Sequence, residues 1–268
     1  MRHPAQNLKT GEIASSPVLL SIIIPALEAE GDLGAALEAI ENEASAKGAG
    51  ANRAAAGARG VAEGGGDDKG RLEVEVIVAD GGSADATAGI AARRGARLVS
   101  APRGRGRQLA AGADAARGEW FLFLHSDTRL GPGWKAAVAR FVANTGNDER
   151  AAAFRFALAD ATAKARRIER LVAWRCRALG LPYGDQGLLI SRTFYDSLGG
   201  FKPMELMEDV DIIRRIGRAR LRYLDVPAVT SAARYRKGGY VLRPLRNLFC
   251  LGLYFAGAPP RLIARLYR

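Results

Sequence analysis

The sequence has few of the residues that build disulfide frameworks, zinc sites or membrane spans. Its 268 residues include only two cysteines, Cys176 and Cys250, which lie far apart and match neither a disulfide framework nor a zinc-ligand pattern. The first residues lack the apolar stretch of a secretory signal. The longest apolar run near the other end, residues 248–258, is well short of the roughly 20 residues that a spanning helix needs. We therefore expect a cytoplasmic protein, free in solution or attached peripherally to the inner face of the membrane.

Acidic residues are almost absent from the last part of the chain. Residues 212–268 contain twelve arginines and one lysine against a single acid, Asp225, and the whole chain carries a net charge of +12. Such a segment can bind nucleic acid, anionic lipid or a phosphorylated substrate. No nucleic-acid-reading motif accompanies it, so we expect no nucleic-acid partner. In residues 240–268 basic residues alternate with aromatic and aliphatic ones, which predicts a basic amphipathic helical segment lying on an anionic membrane or packed on the protein itself.

The rest of the composition is that of a globular domain. Hydrophobic residues make up 48% and charged residues 25% of the chain, enough for one full core. Residues 45–70 are a low-complexity mixture of alanine, glycine and charged residues, which predicts a flexible surface insertion without catalytic content. The predicted organisation is one domain over residues 18–239, interrupted by this insertion, followed by the basic segment at 240–268.

Apolar strands alternate with helical patterns through the first half of the chain. Predicted strands lie at 18–25, 72–80, 96–102 and 119–128, and predicted helices at 31–44, 81–95 and 103–118. This alternation is typical of a Rossmann-like open α/β sheet, mostly parallel and flanked by helices. The second half is less regular: we predict strands at 151–158, at a sheet edge, and at 221–231, with helices at 165–180 and from about Met207.

Candidate site residues follow three of the predicted strands, and residues 25–28 are those at the end of the first. Asp80 ends the second strand, and His125, Ser126 and Asp127 end the fourth, in the stretch FLFLHSDT. In open α/β sheets ligands bind at the carboxyl ends of the strands. A lone aspartate there can cap a helix, accept a structural hydrogen bond or bind a metal. Two acids in one crevice favour a site for a nucleotide and a divalent cation.

Two further motifs contain charged residues that have both a functional and a purely structural interpretation. Arg103, Arg105 and Arg107 lie in one loop, where they could bind a diphosphate or simply be solvated. Glu208 and Asp209 open a predicted helix, where acids complement the helix dipole. The functional alternative is that one of these two carboxylates is a general base.

Five motifs, in order along the chain, resemble those of family 2 glycosyltransferases with the GT-A fold. They are SIIIPALEAE, VIVADGGSADATAGIA, FLFLHSDT, GDQG and LMEDVDI, and the resemblance extends from Leu19 to Tyr267 outside the 45–70 insertion. The chain is most similar to the bacterial branch associated with radical-SAM/selenodomain proteins or arsenosugar biosynthesis. The resemblance implies an inverting transfer from a nucleotide-diphosphate sugar, such as a UDP-sugar, to an unidentified acceptor, assisted by a divalent cation (Mn²⁺ or Mg²⁺).

The resemblance also implies residue roles. Asp209 matches the catalytic base, and Asp127 matches a metal ligand, with His125 as a second ligand or a nucleotide contact. The nucleotide-sugar would be bound by Pro25, Ala26, Leu27, Glu28, Asp80, Arg107, Ser126 and Asp127. The donor sugar and the acceptor would be bordered by Asp185, Gln186 and Glu208. Arg234 and Tyr235 resemble a reduced Q-x-x-R-W element without its glutamine.

The sequence departs from the family pattern at two points. Glu28-Ala29 replaces the usual Asn-Glu after the first strand, and His125 replaces the first acid of D-x-D. A histidine ligand suits Mn²⁺ better than Mg²⁺. Two other functions stay open. A sugar-phosphate nucleotidyltransferase would need a glycine-rich basic loop where ALEAEGDLG stands, and the departures are compatible with a non-catalytic nucleotide- or membrane-binding module.

Overall fold

A computed structural model describes residues 17–45 and 72–267, in which strands and helices alternate. The strands are β1 (Val18–Ala26), β2 (Leu72–Asp80), β3 (Arg97–Ser100), β4 (Trp120–Phe123), β5 (Thr128–Leu130), β6 (Ala151–Leu158), β7 (Leu188–Ser191) and β8 (Leu221–Thr230). The helices are α1 (Leu33–Ser45), α2 (Thr87–Arg93), α3 (Arg105–Ala115), α4 (Trp134–Val142), α5 (Ala163–Leu179), α6 (Arg192–Ser197), α7 (Glu208–Ile216), α8 (Ala233–Gly238), α9 (Leu242–Phe255) and α10 (Pro260–Tyr267). Nearly all of the predicted insertion lies outside the described residues.

The described strands form one mixed sheet in the order β3-β2-β1-β4-β7-β6-β8-β5. Four neighbouring pairs are parallel and three are antiparallel, which confirms the mostly parallel α/β sheet. The expectation that the strand at 151–158 lies at an edge is wrong, because β6 lies between β7 and β8. The physical reason is visible in its burial: Ala151, Ala152, Ala153 and Phe154 are fully enclosed, as both faces of a central strand require.

Strand β1 is apolar along its length because both of its faces are covered. Leu20, Ile22 and Ile24 belong to the core cluster that includes apolar residues of α1 and α4. Ile23 points to the opposite face and packs in the cluster that contains Leu109 of α3. Successive strand side chains alternate between faces, so helices on both sides leave few positions for polar residues.

The fourth strand is shorter than the sequence predicts. Strand β4 ends at Phe123, and β5 begins separately at Thr128 and pairs antiparallel with β8. Between them the Leu124 amide still donates to the Ile23 carbonyl, and a turn closes where the Thr128 amide donates to the His125 carbonyl at 3.1 Å. The turn redirects the chain, so the polar half of FLFLHSDT forms a connection at the carboxyl end of the sheet.

The basic C-terminal segment forms helices α9 and α10, which pack against α7. Met207, Val210, Cys250, Leu251 and Ile263 form the buried cluster at this contact. No helix within the described ranges is both long enough and apolar enough to cross a membrane. The segment therefore rests on the body of the protein through one face.

Candidate functional site

The loops after β1 and β2 are tied together at the carboxyl end of the sheet. Ala26 pairs in register with Asp80, so both strands end at the same level. The Glu28 amide donates to Ser83 Oγ at 3.0 Å, and the Ala84 amide donates to Glu28 Oε1 at 2.8 Å. Asp80 accepts from the Ser83 hydroxyl at 2.5 Å and from the Ser83 amide. The structure thus places the carboxylates of Glu28 and Asp80 in the contacts that shape these loops.

A cavity of about 510 Å³ opens beside these loops and is called here the arginine cavity. Its volume is in the range of small-ligand sites. It is lined by apolar residues at the end of β1, arginines around the start of α3, and the polar connection after β4. These lining residues include Pro25, Leu27, Arg103, Gly104, Arg105, Arg107, Gln108, His125, Ser126, Asp127, Arg234 and Tyr267. The residues Ala26, Glu28 and Asp80 do not line it, whereas Pro25, Leu27, Arg107, Ser126 and Asp127 do.

The start of α3 gives the arginine cavity its positive character. Gly104 immediately precedes the helix in a backbone conformation with φ 131°, which favours glycine. The first amides of a helix lack intrahelical acceptors and carry the positive end of its dipole. Together with Arg103, Arg105 and Arg107, this helix start is suited to binding phosphate groups.

Arg105 is held by a buried carboxylate. Its Nη1 lies 3.2 Å from Glu208 Oε1, and the Glu208 side chain is 1% exposed. Burial raises the pKa of Glu208, while Arg105 opposes that rise. Burial alone would lower the pKa of Arg105, but Glu208, Asp209 and Asp127 together raise it. Glu208 therefore holds the charged Arg105 side chain in place and lies behind it, outside the arginine cavity.

Asp127 lies where the arginine cavity meets a second cavity. This second one, the carboxylate cavity, contains Asp127, Asp185 and Asp209. Asp127 Oδ2 lies 3.5 Å from Arg234 Nη2, and the Asp127 side chain is 8% exposed. Arg105, His125, Asp127 and Arg234 line both cavities. The junction thus brings one carboxylate, one imidazole and two guanidinium groups together.

His125 is enclosed at this junction. Burial, together with the charges of Arg105 and Arg234, lowers its pKa well below 6.5, so the imidazole is neutral at pH 7. Gly184 packs so closely on the ring that a side chain there would collide with Nε2. A neutral imidazole can bind a metal or a nucleotide polar group.

The described residues do not by themselves complete a metal site. Within residues 17–45 and 72–267, no three His, Cys, Asp or Glu side chains are grouped so that they could hold an ion. Asp127 and His125 supply one carboxylate and one neutral nitrogen, a donor pair compatible with Mn²⁺. Diphosphate oxygens and water would have to provide the other ligands.

Asp209 lies at the start of α7 and faces the carboxylate cavity. Its Oδ2 accepts from the Gly184 amide at 3.0 Å, and its Oδ1 accepts from the Val210 amide at 2.8 Å. Met207, immediately before α7, has φ 68°, a strained value for a residue with a side chain. The carboxylate is oriented from both sides and keeps lone pairs for an incoming proton.

Asp185 is the second acid of this cavity and lies in the short 3-10 turn Gly184–Gln186. Burial raises the pKa of Asp185 to about 6; Arg175 opposes the shift, and Asp209 and Asp127 add to it. Its Oδ1 is buried without a hydrogen-bond partner among the described residues. This oxygen is therefore available to a ligand hydroxyl.

Residues 21–178 match the family described as Glycosyl transferase family 2. The chain belongs to this family. Among curated proteins, none matches the sequence significantly. The enzyme is a glycosyltransferase, and four of the five motifs contribute residues to the lining of the two cavities, the exception being VIVADGGSADATAGIA.

Solved structures share the fold at low sequence identity. Glucosyl-3-phosphoglycerate synthase from Mycobacterium tuberculosis, in complex with Mn²⁺, UDP-glucose and phosphoglyceric acid, is 20% identical with a TM-score of 0.58, over 96% of this chain and 86% of that one. The same synthase with Mn²⁺, UDP and glucosyl-3-phosphoglycerate is 18% identical with a TM-score of 0.55, over 97% and 87%. Mannosyl-3-phosphoglycerate synthase from Rubrobacter xylanophilus is 17% identical with a TM-score of 0.54, over 90% and 75%. The shared architecture is that of GT-A glycosyltransferases.

Gln186 of the glycosyltransferase lies behind the cavities. Its Nε2 donates to the Phe154 carbonyl at 3.0 Å, and its Oε1 accepts from Arg175 at 3.3 Å and from Cys176 Sγ at 3.2 Å. The side chain is 2% exposed. The structure thus places Gln186 where it anchors the turn that carries Asp185.

The C-terminal helices contribute site residues that sequence reasoning missed. Tyr267 of α10 lines both cavities, and Arg243 and Asn247 of α9 line the carboxylate cavity. Arg243 Nη2 donates to the Tyr267 hydroxyl at 3.3 Å. The alternation of basic with aromatic and aliphatic residues in 240–268 is the available signal, and by itself it predicts amphipathic character but no contact with a site.

Gln108 of α3 was also missed. Its buried Nε2 donates to the carbonyls of Ala26, at 2.6 Å, and Ala79, at 3.0 Å. This amide therefore joins the ends of β1 and β2 beneath the arginine cavity. Gly81 packs against it, since a Cβ at that position would come within 3.0 Å of Nε2. A glutamine in a predicted helix carries no sequence signal of such a contact.

Proposed function

We propose that the enzyme is an inverting glycosyltransferase that moves a sugar from a UDP-sugar to an acceptor hydroxyl. The observation that carries the proposal is the junction at Asp127, where the arginine cavity meets a cavity that adds the carboxylates of Asp185 and Asp209. The first suits a nucleotide diphosphate, and the second suits proton removal from a hydroxyl. Structural neighbours crystallised with Mn²⁺ and UDP or UDP-glucose support this assignment of the donor.

The donor would lie in the arginine cavity. Pro25 and Leu27 would contact the base, and Arg107 and the start of α3 the diphosphate. Ser126 and Asp127 would lie beside the diphosphate and the sugar. The proposed contribution of Ala26, Glu28 and Asp80 is to fix the loops that surround the base.

A divalent cation fits beside Asp127. The Asp127 carboxylate and the neutral imidazole of His125 would together hold Mn²⁺. For Mg²⁺, Asp127 would be the only protein ligand of the two. The cation would supply neutralisation of the charge that develops on the departing diphosphate. Arg234 and Arg105, which face the same junction, would add positive charge there.

Asp209 would act as the general base. The acceptor's hydroxyl oxygen would attack the anomeric carbon from the face opposite the diphosphate. At the same time a carboxylate oxygen of Asp209 would accept the proton of that hydroxyl. The bond between the anomeric carbon and the diphosphate oxygen breaks, and UDP leaves with the bonding pair. Asp185 would bind hydroxyls of the sugar or the acceptor, while Glu208 and Gln186 would position Arg105 and Asp185.

A panel of UDP-sugars with Mn²⁺ tests the proposal through release of UDP. Asp209→Asn should lower turnover roughly 10²–10⁴-fold while UDP still binds, because the amide cannot accept the proton. Asp225→Asn, which changes a 96% exposed carboxylate, is the matched control and should behave as wild type. Full turnover by Asp209→Asn would overturn the base assignment, and release of pyrophosphate instead of UDP would indicate a nucleotidyltransferase.

Two finer assignments are also proposed. The five motifs support membership of the bacterial branch associated with radical-SAM/selenodomain proteins or arsenosugar biosynthesis. A cytoplasmic location with peripheral membrane contact is supported by exposed apolar residues of α9, among them Leu242, Leu245 and Phe249, beside a strongly basic segment.

A further inference from the structure

An apolar groove of about 190 Å³ runs between α5 and α9, outside the two cavities already described. Its apolar lining consists mainly of Ile168, Leu171, Val172, Trp174, Leu248 and Leu251. Three of these are strongly exposed: Leu171 at 58%, Trp174 at 59% and Leu248 at 63%. Contiguous exposed apolar surface of this kind marks a binding site more often than chance.

The groove adjoins the carboxylate cavity. Tyr183, Asp185, Tyr235 and Asn247 line both. A ligand in the groove therefore lies against the same four side chains that bound the cavity of Asp209. The groove, which Arg175 also lines, thus adds apolar surface beside the cavity, and a small, fully polar acceptor would not require it.

Two oxygen atoms at the shared wall lack hydrogen-bond donors. Asp185 Oδ1 and Asn247 Oδ1 are both buried, and neither has a partner in the described part of the chain. Leaving a buried acceptor unpaired is costly, so these atoms point to a ligand that brings hydroxyl groups. The junction of groove and cavity therefore suits a hydroxyl-bearing head followed by an apolar tail.

We propose that the acceptor is a hydroxyl-bearing amphiphile whose head lies in the carboxylate cavity and whose alkyl tail lies in the α5–α9 groove. This inference rests on the proposed function. The hydroxyl oxygen forms the new bond to the anomeric carbon, its proton passes to Asp209, and UDP leaves. The tail contributes binding and orientation by burial of methylene groups.

Tryptophan fluorescence gives a direct test with 1-monoacylglycerols as the probes. Trp120 and Trp134 are 5% and 0% exposed, so Trp174 is the solvent-facing reporter among the three tryptophans. Acetyl-, octanoyl- and dodecanoylglycerol, used below their micelle concentrations, share one head and differ in tail length. We expect a blue shift of Trp174 and affinity that rises about three- to fourfold for each methylene that the groove buries.

Substitutions in the groove distinguish binding of the alkyl tail in the groove from nonspecific binding elsewhere on the protein surface. Leu171→Gln and Leu248→Gln should weaken dodecanoylglycerol binding and reduce its chain-length dependence. Leu98→Gln, at a 42% exposed leucine on β3, is the matched control and should bind as wild type. Asn247→Leu should weaken binding of all three probes by a similar factor, since it removes a head contact. Equal affinity of wild type for the acetyl and dodecanoyl probes, or equal effects of all three glutamine variants, would overturn the proposal.

UDP binding in the presence of Mn²⁺ distinguishes failure of the amphiphilic-acceptor proposal from failure of the proposed glycosyltransferase function. Wild type and the groove variants should bind UDP equally, because neither leucine lines the arginine cavity. Loss of UDP binding in wild type would refute the proposed donor site. Normal UDP binding and UDP-sugar turnover, with no advantage of an alkyl tail on a hydroxylated acceptor, would leave the glycosyltransferase intact and refute the amphiphilic acceptor.

Discussion

The guanidinium of Arg234 lies 3.5 Å from Asp127 Oδ2, although the two residues are far apart in sequence. Antiparallel pairing of β5 with β8 brings them together, because Thr128 is opposite Thr230 in the register. The Thr128 and Thr230 hydroxyls are 3.0 Å apart, which joins the two strand ends beneath the ion pair. The arginine therefore meets the candidate metal ligand at the point where a diphosphate would enter.

Asp127→Asn should abolish the effect of Mn²⁺ on UDP affinity. Among the described residues this carboxylate is the one acid that lines both cavities, and an amide is a much weaker ligand for a divalent cation. Isothermal titration of UDP with and without Mn²⁺ measures the effect, which should be large in wild type and in Asp225→Asn. An undiminished Mn²⁺ effect in Asp127→Asn would remove this residue from the metal site.

His125→Asp should shift the metal preference toward Mg²⁺. The neutral imidazole suits Mn²⁺, and a carboxylate in its place restores the all-oxygen ligand set that Mg²⁺ prefers. The measurement is the ratio of turnover with Mg²⁺ to turnover with Mn²⁺ in both proteins. If both activities fall while their ratio stays constant, His125 contacts the nucleotide instead.

Asp185→Asn should lower activity and raise stability at neutral pH. The folded-state pKa of Asp185 is about 6, above the ordinary value of 3.8, because burial disfavours its charge. Below about pH 4 the carboxyl is protonated in both the folded and unfolded states, so it carries no ionisation penalty. Between about pH 4 and 6 the carboxyl ionises in the unfolded state but stays protonated in the folded state, so wild type loses stability, and the loss is complete once the pH has passed 6.

Thermal unfolding between pH 4 and 7.5 measures this difference. The melting temperature of Asp185→Asn minus that of wild type should increase from pH 4 to about 6 and then level off, whereas the difference for Asp225→Asn should stay flat. A difference for Asp185→Asn that is constant with pH would show that Asp185 ionises normally in the folded protein. The same variant keeps only a neutral amide oxygen as acceptor, so it should weaken the hydroxyl contact proposed for Oδ1 and raise the KM for the acceptor.

The local sequence pattern predicts which strands and helices bring acidic residues to the carboxyl edge of the sheet. The continuous apolar run of β1 identifies a strand covered on both faces, and the positions of Asp80, Asp127 and Asp209 follow from where strands end and helices begin. The local sequence pattern does not predict the direction in which each side chain points. Asp80 turns its carboxylate toward Ser83, and this depends on the conformation of its turn.

Long-range packing explains what sequence reasoning missed. The contact of Gln108 with two strand ends requires the α3 crossover to be docked, and Tyr267 reaches the cavities only because α10 packs on α7. Both contacts join residues that are distant in sequence, so neither periodicity nor motif spacing reports them. The place of 151–158 inside the sheet likewise depends on the return of β8, which no feature of β6 alone reveals.

The outer face of α9 should bind anionic membrane. Leu242, Leu245 and Phe249 are 73%, 57% and 59% exposed and follow helical spacing, and none of them lines a described cavity. Exposed arginines on α10, Arg261 and Arg265, add positive charge beside this apolar stripe. Apolar insertion together with attraction to anionic lipid is the usual basis of peripheral attachment.

Sedimentation with vesicles tests this attachment. The protein should sediment with vesicles of phosphatidylglycerol and phosphatidylcholine, less with phosphatidylcholine alone, and less again as salt screens the charges. The double variant Leu242→Gln/Leu245→Gln should stay largely in the supernatant, with Leu98→Gln as the matched control, while UDP binding is unchanged in both. A wild-type protein that remains in the supernatant with anionic vesicles at low salt would refute membrane contact, and would leave the α5–α9 groove to take its ligand from solution.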